Sequence, residues 1–273
     1  MEAGSRSTSS QNRLYWGMAE PLKALIFDVD GTLADTEEMH RQAFNQMFTE
    51  EGLGWEWDRE LYGELLAVTG GRERIRHYLE TIGSDLLARP DLDDWIASLH
   101  RRKTQIYTAR VDQGALPLRP GVARLIREAR EAGLTLAIAT TTSRENVDSL
   151  LVSTLGSDSP EWFLAIGTGE CAPRKKPDPG VYQWVLERIG AKPEACLALE
   201  DSANGLRAAR AAGIPTLITV SPYTRSDDFG GAEIVLDHLG EPEQPFQVLR
   251  GEGKGHTHAD LPLLRRWHRQ LAG

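Results

Sequence analysis

Two aspartates at the end of an apolar segment are the first residues of this chain that could do chemistry. Asp28 and Asp30 flank Val29, at the end of an apolar segment that starts at Lys23. Because side chains alternate along an extended chain, both carboxylates point to the same side. Carboxylates this close repel each other unless a cation or a shared proton compensates their charge. Mg²⁺ is such a cation, since it binds carboxylate oxygens and keeps waters and substrate phosphate in its coordination shell.

A second acidic pair follows another apolar segment. Glu200 and Asp201 come directly after Cys196–Leu199. Taken alone, either pair is equally well explained by helix capping, in which acidic residues are common. Because both pairs follow apolar strands, a divalent-metal site is the better interpretation. Its predicted ligands are Asp28, Asp30, Glu200 and Asp201.

A run of hydroxyl side chains and a lysine could hold the anion that such a metal attracts. Thr140 offers a hydroxyl donor at the end of a third apolar segment. The backbone N–H groups of Thr141, Thr142 and Ser143 follow at a helix start, where phosphate oxygens bind. Lys176 adds a cation of the kind that offsets the charge of a transferring phosphoryl group. For either motif alone, a capped strand end or a solvated lysine would be the preferred explanation.

The elements that position these residues alternate between strands and helices. This alternation predicts an α/β fold, a Rossmann-like parallel sheet with helices on both faces. Active sites of such sheets gather outside the carboxyl ends of the strands, which is where all four polar groups fall. The predicted strands are Lys23–Val29, Leu134–Ala139, Phe163–Ile166, Cys196–Leu199 and Thr216–Val220, and helices are predicted from Pro120 to Gly133, at Gly180–Ile189 and at Ser202–Ala212.

A helical insertion interrupts the predicted sheet after its first strand. Met39, Ala43 and Met47 recur at i, i+4 spacing, as one buried stripe of a helix would, and no convincing strand follows before Arg110. We call this insertion, residues 36–111, the cap. The core domain then comprises residues 21–35 and 112–239.

The two ends of the chain are predicted to lie outside the core. Residues 1–20 have the composition of a disordered polar tail, and Met18 is an alternative start. Residues 240–273 form a C-terminal extension of unassigned role. Its first part, Gly240–His258, is rich in glycine, proline and glutamate and is predicted to be loose. A short amphipathic helix is predicted to follow, with Leu264, Trp267 and Leu271 on its apolar face.

Composition excludes several classes of protein. The 273 residues include 31 basic and 40 acidic side chains, a net charge of −9 that disfavours nucleic-acid binding. No apolar run approaches the length of about 18 residues that a membrane helix needs. Two cysteines, Cys171 and Cys196, are too few for a disulfide framework and are expected to be reduced. We therefore expect a cytoplasmic protein, by default a monomer, with a small molecule as partner.

Four motifs occurring in order give a family resemblance. They are DVDGT at Asp28–Thr32, the strand-end Thr140, Lys176 within KKPDP, and LEDS at Leu199–Ser202. With them the chain resembles the haloacid dehalogenase superfamily of phosphotransferases, in particular the subgroup with a helical cap just after the first strand. The resemblance covers roughly Lys23 to Asp237 and implies the fold of that superfamily.

A closer resemblance is to the CbbY-type sugar-phosphate phosphatases, relatives of β-phosphoglucomutase. Members of that group remove the 1-phosphate of xylulose 1,5-bisphosphate. The resemblance therefore implies a Mg²⁺-dependent phosphatase acting on a sugar bisphosphate, with xylulose 1,5-bisphosphate as the leading substrate and xylulose 5-phosphate as product. It rests on TLADTEEMHRQAF at Thr32–Phe44, TGGRERI at Thr69–Ile75, AIATTTS at Ala137–Ser143 and ALEDSANGLRAA at Ala198–Ala209.

The family mechanism assigns a role to each motif residue. Asp28 would be the nucleophile that forms an aspartyl-phosphate. Asp30 would protonate the departing sugar oxygen and later accept a proton from water. Thr140 and Lys176 would hold the phosphoryl oxygens, together with the amides after Thr140. Mg²⁺ would be bound by the Asp28 and Asp201 carboxylates and the Asp30 backbone carbonyl, with Glu200 assisting.

Residues of the cap are expected to select the substrate. Gly70 and Gly71 permit close backbone approach at a helix start, where amides can receive a phosphate. There Arg72 and Arg74 could converge on a distal phosphate, although a solvated arginine face is the alternative. Glu37 and His40 are expected to form hydrogen bonds with sugar hydroxyls. The alternative for His40 is a side chain packed in the interior. The predicted substrate-binding residues are Glu37, His40, Gly70, Gly71, Arg72, Glu73, Arg74, Thr141, Thr142 and Ser143.

Three other functions share these motifs. A phosphosugar mutase would return the phosphate to another hydroxyl of the sugar. A phosphoglycolate phosphatase is disfavoured, because a two-carbon substrate has no distal phosphate for Arg72 and Arg74. A non-catalytic sensor of phosphometabolites is disfavoured because it would need neither Asp28 nor Asp30.

Overall fold

A mostly parallel sheet forms the centre of the molecule, as a computed structural model of residues 20–113 and 116–271 shows. The predicted N-terminal tail, including Met18, lies outside these residues apart from Glu20. Neighbouring strands run parallel except at β7, in the order β3-β2-β1-β4-β5-β6-β7. The predicted α/β fold is confirmed. The strands are β1 Ala24–Phe27, β2 Thr135–Ala139, β3 Phe163–Gly167, β4 Cys196–Glu200, β5 Thr216–Thr219, β6 Val235–Leu236 and β7 Val248–Arg250.

Helices flank the sheet and fill the insertion after β1. None of those in residues 20–113 and 116–271 combines the length and the hydropathy that crossing a membrane requires. Short 3₁₀ segments in the described part of the chain lie at Asp85–Ala88, Ser159–Trp162 and Pro193–Ala195. The α-helices are α1 Thr36–Glu50, α2 Arg59–Leu65, α3 Gly71–Thr81, α4 Leu92–Asp112, α5 Val122–Glu131, α6 Arg144–Leu155, α7 Gly180–Ile189, α8 Ala203–Ala211 and α9 Leu261–Leu271.

Strand β1, in the interior of the sheet, sets the level at which the polar strand ends meet. All four of its residues are buried, because helices cover both faces of a parallel sheet. Phe27 pairs with Ile138 of β2 on one side and with Leu199 of β4 on the other. Since these strands end at the same height, the residues after them become neighbours at one edge of the sheet.

The cap holds α1 to α4, and an aromatic cluster forms its core. Trp57 packs against Phe44 and Phe48 of α1 at ring-centroid distances of 4.7 and 4.8 Å. Tyr78 of α3 meets the same tryptophan edge-on at 5.3 Å. The buried faces of these helices contain Ala43 and Met47 of the predicted stripe, so the cap is packed, in one hydrophobic cluster with the core.

Arg119 joins the two connections between cap and core. Its buried guanidinium donates to the backbone carbonyls of Val220 at 2.5 Å and Asp237 at 2.6 Å, and also to Gly31. It forms an ion pair with Asp35 at 3.1 Å, directly before the cap begins. One side chain thus ties the loop after β1 to the ends of β5 and β6.

The prediction that Gly240–His258 is loose was wrong. This segment contains β7, which pairs antiparallel with β6. Phe246 N–H donates to Thr257 O at 2.9 Å, and Ala259 N–H donates to Leu239 O at 2.7 Å. The glycines and prolines make hydrogen-bonded turns, whose composition is the same as that of a flexible linker. The helix predicted after this segment is α9.

Trp267 joins the C-terminal extension to the core, because it belongs to the hydrophobic cluster that also contains Leu125 and Ile126 of α5. Its side chain on α9 is fully buried, lies 6.2 Å from the Phe246 ring, and donates from Nε1 to Glu252 O at 3.0 Å.

We expect Trp267→Ala to lower the free energy of unfolding by about 3–5 kcal/mol, because it removes a large buried side chain and leaves a cavity. Urea unfolding measures this loss. The exposed neighbour Arg266→Ala is the control and should change stability by less than about 0.5 kcal/mol; equal midpoints for both variants would contradict the assignment.

Candidate active site

Three carboxylates meet at the carboxyl end of the central strands. Asp28 after β1, Glu200 at the end of β4 and Asp201 are all buried, and each offers an oxygen within 4.8 Å of the others. Gly31 makes this possible, because a Cβ at its position would collide with the Asp201 carboxylate. Its positive φ of 82° is a second reason for glycine there. The sequence prediction that these acids gather is therefore matched by the geometry.

Lys176 is the cation that faces the carboxylates. Its Nζ donates to Asp28 Oδ1 at 2.7 Å, to Ala139 O at 2.8 Å, and to Glu200. Tyr182 donates its hydroxyl to the same Glu200 oxygen. Burial lowers the pKa of Lys176, but the Asp28 and Glu200 carboxylates outweigh this effect and hold the pKa above its ordinary value. Lys176 therefore stays charged, and it is not on the solvated surface.

One ammonium group does not balance three buried carboxylates. Burial raises the pKa of Asp28 to about 8, and burial together with the Asp28 and Glu200 charges raises the pKa of Asp201 well above its usual value. Glu200 Oε2 is buried without a hydrogen-bond partner among the residues that the structure describes. Oxygen donors that lack charge compensation suit a hard divalent cation such as Mg²⁺. The donor set fits a metal ion of this class.

Asp30 belongs to a different network, which reaches into the cap. Its Oδ1 accepts from Thr36 Oγ1 at 2.6 Å and lies 3.0 Å from His40 Nε2. Burial raises the pKa of Asp30, but the His40 and Thr36 contacts outweigh it and bring the pKa to about 2. On the other side of the ring, His40 Nδ1 lies 2.6 Å from Lys103 Nζ. A carboxylate role of Asp30 in the metal site has no support from these contacts; a role of its backbone carbonyl stays a prediction.

Thr36 and Lys103, both partners in this network, were not among the predicted site residues. Lys103 lies on α4 among Leu99, Ile106 and Tyr107, all buried, so a charged residue in an apolar helical stripe was the available signal. Burial lowers the pKa of Lys103 to about 7. The His40 ring stacks on Tyr107 at 4.0 Å and has a partner at each nitrogen, which argues against the predicted contact of His40 with sugar hydroxyls.

Some hydroxyl side chains after β2 line the cavity, and one of them caps a helix. Thr140 is fully buried, and its Oγ1 accepts from Thr142 N–H at 3.3 Å. Ser143 caps α6, since its Oγ accepts from Asn146 N–H at 3.4 Å. Thr141 and Thr142 line the cavity between cap and core, together with Ser143. Phosphate binding and helix capping are therefore compatible at this turn.

The predicted glycine turn stands at the start of α3, where it makes room for side chains. A Cβ on Gly71 would come within 2.6 Å of His100 Nε2, and one on Gly70 would collide with Glu73 and Lys175. Glu73 accepts from Lys175 Nζ at 2.9 and 3.0 Å, so it joins the cap to the core. The predicted contact of Glu73 with substrate competes with this ion pair.

Arg72 and Arg74 both line the cavity but have different surroundings. Arg74 is buried and donates to Tyr62 Oη at 2.9 Å, Leu65 O at 3.2 Å and Val68 O at 3.4 Å. Tyr62 in turn donates to Glu37 Oε2 at 2.7 Å. Arg72 is exposed, so its guanidinium is the more available of the two. The pair does not converge as two equivalent donors.

A cavity of about 790 Å³ between cap and core collects these groups. Its floor holds Asp28, Asp30, Asp201 and Lys176, and its cap side holds Arg72, Arg74 and Lys103. Such a volume accommodates a small organic ligand. Phosphoryl transfer to an aspartate needs a buried carboxylate, a site that fits a metal ion and hydrogen-bond donors for the phosphate oxygens. The floor of the cavity has all three.

Comparisons with known proteins agree with this chemistry. The haloacid dehalogenase-like hydrolase family matches residues 22–213. Protein CbbY from a Cupriavidus necator plasmid is 52% identical over 247 residues, which are 90% of this chain and 97% of that protein.

Two solved structures are similar over most of their length. The crystal structure of CbbY from Rhodobacter sphaeroides in complex with phosphate is 46% identical, has a TM-score of 0.75, and covers 81% of this chain and 96% of its own. An Asp-to-Asn variant of the same protein, in complex with xylulose 1,5-bisphosphate, is 45% identical with a TM-score of 0.76 and the same coverage. Given the match over residues 22–213 and these relatives, the chain belongs to the haloacid dehalogenase-like hydrolases, and among them to the CbbY type.

Proposed function

We propose that this hydrolase is a Mg²⁺-dependent phosphatase that converts xylulose 1,5-bisphosphate to xylulose 5-phosphate. The observation that carries the proposal is the cavity with two unlike ends, a buried acid cluster on the floor and the exposed guanidinium of Arg72 on the cap side. Such a cavity suits a substrate with one phosphate to be removed and a second to be held. The Rhodobacter sphaeroides relative in complex with xylulose 1,5-bisphosphate supports this choice of sugar. A cytoplasmic, monomeric enzyme remains our expectation.

Asp28 is the nucleophile in the proposed reaction. One of its carboxylate oxygens bonds to phosphorus as the bond from phosphorus to the sugar oxygen breaks, which gives an aspartyl-phosphate. Lys176, 2.7 Å from Asp28 Oδ1, favours the ionised, nucleophilic form of that carboxylate. The Thr140 hydroxyl, the following amides and Lys176 hold the phosphoryl oxygens as charge develops on them.

Asp30 moves the proton in both steps. It gives a proton to the departing sugar oxygen, and it takes one from the water that later hydrolyses the aspartyl-phosphate. Thr36 and His40 hold its carboxylate on the cap side. Negative charge on a bound phosphate disfavours the ionised form of Asp30, so substrate binding favours the protonation state that the first step needs.

The metal site draws on residues from two strand ends. The Asp28 and Asp201 carboxylates and the Asp30 backbone carbonyl would hold Mg²⁺, with Glu200 assisting directly or through water. When bound, the ion offsets the charge of the phosphoryl oxygens and of the acid cluster.

The cap holds the second phosphate and the sugar. Arg72 donates to the distal phosphate, and the N–H groups at the start of α3 contribute to the same end of the cavity. Glu37 faces the cavity near the floor and is the proposed contact for a sugar hydroxyl. A phosphosugar mutase would use the same residues, and release of inorganic phosphate distinguishes the two reactions.

Replacing the nucleophile should abolish turnover. We expect Asp28→Asn to lower kcat by at least about a thousandfold, because the amide cannot form the aspartyl-phosphate. Phosphate release measures the loss, and circular dichroism should show an intact fold, since the amide is nearly isosteric. Asp94→Asn, at an exposed aspartate of α4, is the matched control and should keep full activity. Substantial turnover by Asp28→Asn would refute the nucleophile.

Removing a metal ligand should be visible without turnover. We expect Mg²⁺ to raise the melting temperature of the wild-type protein, with a stabilisation of about 2.7 kcal/mol at a hundredfold excess over Kd. Asp201→Asn should weaken Mg²⁺ binding by at least about tenfold in calorimetry, because it removes a charged ligand. Chelator should stop phosphate release by the wild type. A Mg²⁺ affinity unchanged in Asp201→Asn would contradict the site.

A substrate panel tests the distal phosphate. We expect the wild type to prefer xylulose 1,5-bisphosphate over sugar monophosphates, and Arg72→Ala to raise KM for the bisphosphate about tenfold to a hundredfold with a smaller change in kcat. Phosphate release across the panel measures both. Arg101→Ala, at an exposed arginine of α4, is the control. Equal turnover of monophosphates and bisphosphates by the wild type would remove the second phosphate from the proposal.

A further inference from the structure

His100 is a polar group in the cavity to which neither the motifs nor the mechanism assign a role. It lies on α4, partly buried, and its ring lines the cavity. Its backbone carbonyl accepts from Thr104 Oγ1 at 2.9 Å, whereas its imidazole has no hydrogen-bond partner within residues 20–113 and 116–271. Gly71 packs so closely on this ring that any Cβ would come within 2.6 Å of Nε2. The chain thus keeps a glycine where the ring needs space.

The neighbours of His100 locate it between the two ends of the cavity. Lys103, on the same helix, contacts His40, which in turn contacts Asp30 on the floor. Arg72, the proposed contact of the distal phosphate, and Lys175 line the same cavity and are near enough for their positive charges to lower the pKa of His100. A substrate that spans the two ends therefore places its carbon chain, and not its phosphates, against His100.

We propose that His100 is a specificity-determining residue whose imidazole forms a hydrogen bond with a hydroxyl group of the sugar between the two phosphates. This assignment rests on the proposed function, because it requires a substrate that reaches from the floor to the distal end. A hydroxyl group is the partner because an imidazole without a proton on one nitrogen can accept from it.

The charge state of the ring agrees with a hydroxyl partner. Burial, followed by the positive charges of Lys103, Arg72, Lys175 and His40, lowers the pKa of His100 to about 3. The imidazole is therefore uncharged near neutral pH and offers one donor and one acceptor. Arg72 and Lys175 beside the ring are hydrogen-bond donors only, so the imidazole of His100 adds an acceptor next to them.

Kinetics on two kinds of phosphate ester test this role. We expect His100→Leu to lower kcat/KM for xylulose 1,5-bisphosphate about tenfold, the effect of losing one hydrogen bond. Para-nitrophenyl phosphate has no hydroxyl to contact, so its hydrolysis should stay within about twofold. His100→Gln should restore most of the loss, since an uncharged amide both donates and accepts. His77→Leu, at an exposed histidine of α3, is the matched control for the substitution.

The pH profile separates a hydroxyl contact from a phosphate contact. The ratio of wild-type to His100→Gln kcat/KM should be constant from about pH 6 to 8, because neither side chain changes charge there. A ratio that falls with rising pH would reveal a cationic ring on a phosphate and overturn the hydroxyl contact. Equal losses on both esters, or equal losses in the Leu and Gln variants, would also overturn it.

Failure of the proposed function has a different signature. If the wild type prefers another sugar phosphate to xylulose 1,5-bisphosphate, the proposed substrate falls, and His100→Leu is judged on the preferred sugar with the same expected ratio. If the wild type hydrolyses no sugar phosphate better than para-nitrophenyl phosphate, both proposals fall together.

Discussion

Three buried carboxylates with a single lysine that pairs with two of them are the constraint on which the rest of this structure depends. Taking charged groups out of water costs several kcal/mol each unless they are paired, and Lys176 pairs with Asp28 and Glu200 at once. This arrangement requires β1 and β4 to end level and next to each other, which the register of the parallel sheet provides. The remaining negative charge is what makes the site a place for a divalent cation. The strand order, the position of Lys176 and the candidate metal site therefore all help to compensate the charge of the buried carboxylates.

Two aspartates only two residues apart acquire opposite properties from their surroundings. Burial raises the pKa of Asp28, whereas Thr36 and His40 bring the pKa of Asp30 down despite burial. Pairs of titratable groups driven apart in this way are typical of sites that divide nucleophilic and acid–base work. Because Thr36 and His40 belong to α1, the surroundings of Asp30 depend on the position of the cap. Any movement of α1 would therefore change the surroundings of Asp30, the proposed proton donor and acceptor.

The sequence could predict where the acids meet, because strand ends of a parallel sheet share one edge and apolar runs reveal the strands. It could not predict which side chains would partner them. Arg72 and Arg74 are two residues apart in the same motif, yet only the folded cap decides that Arg74 is held by Tyr62 while Arg72 stays exposed. Composition also misled at Gly240–His258, since turns that pair β7 with the sheet use the same residues as a linker. Tertiary contacts determine the surroundings of the two arginines and the structure of this segment, and a local sequence pattern carries no information about those contacts.

Net charge is the wrong scale for judging what this cavity binds. The chain carries −9 overall, but exposed charges farther apart than about 8–10 Å are screened at physiological salt. A phosphate in the cavity interacts instead with the charged residues that line the cavity. On the floor, acids are compensated by Lys176 and, in the proposed enzyme, by Mg²⁺. On the cap side, Arg72 and Lys103 face the same space, and Lys175 of the core lines it as well. An acidic protein can therefore bind an anionic sugar, because the sign of the local field is set by a few residues at close range. His100, uncharged among these cations, then distinguishes one sugar from another where charge alone would attract any phosphate.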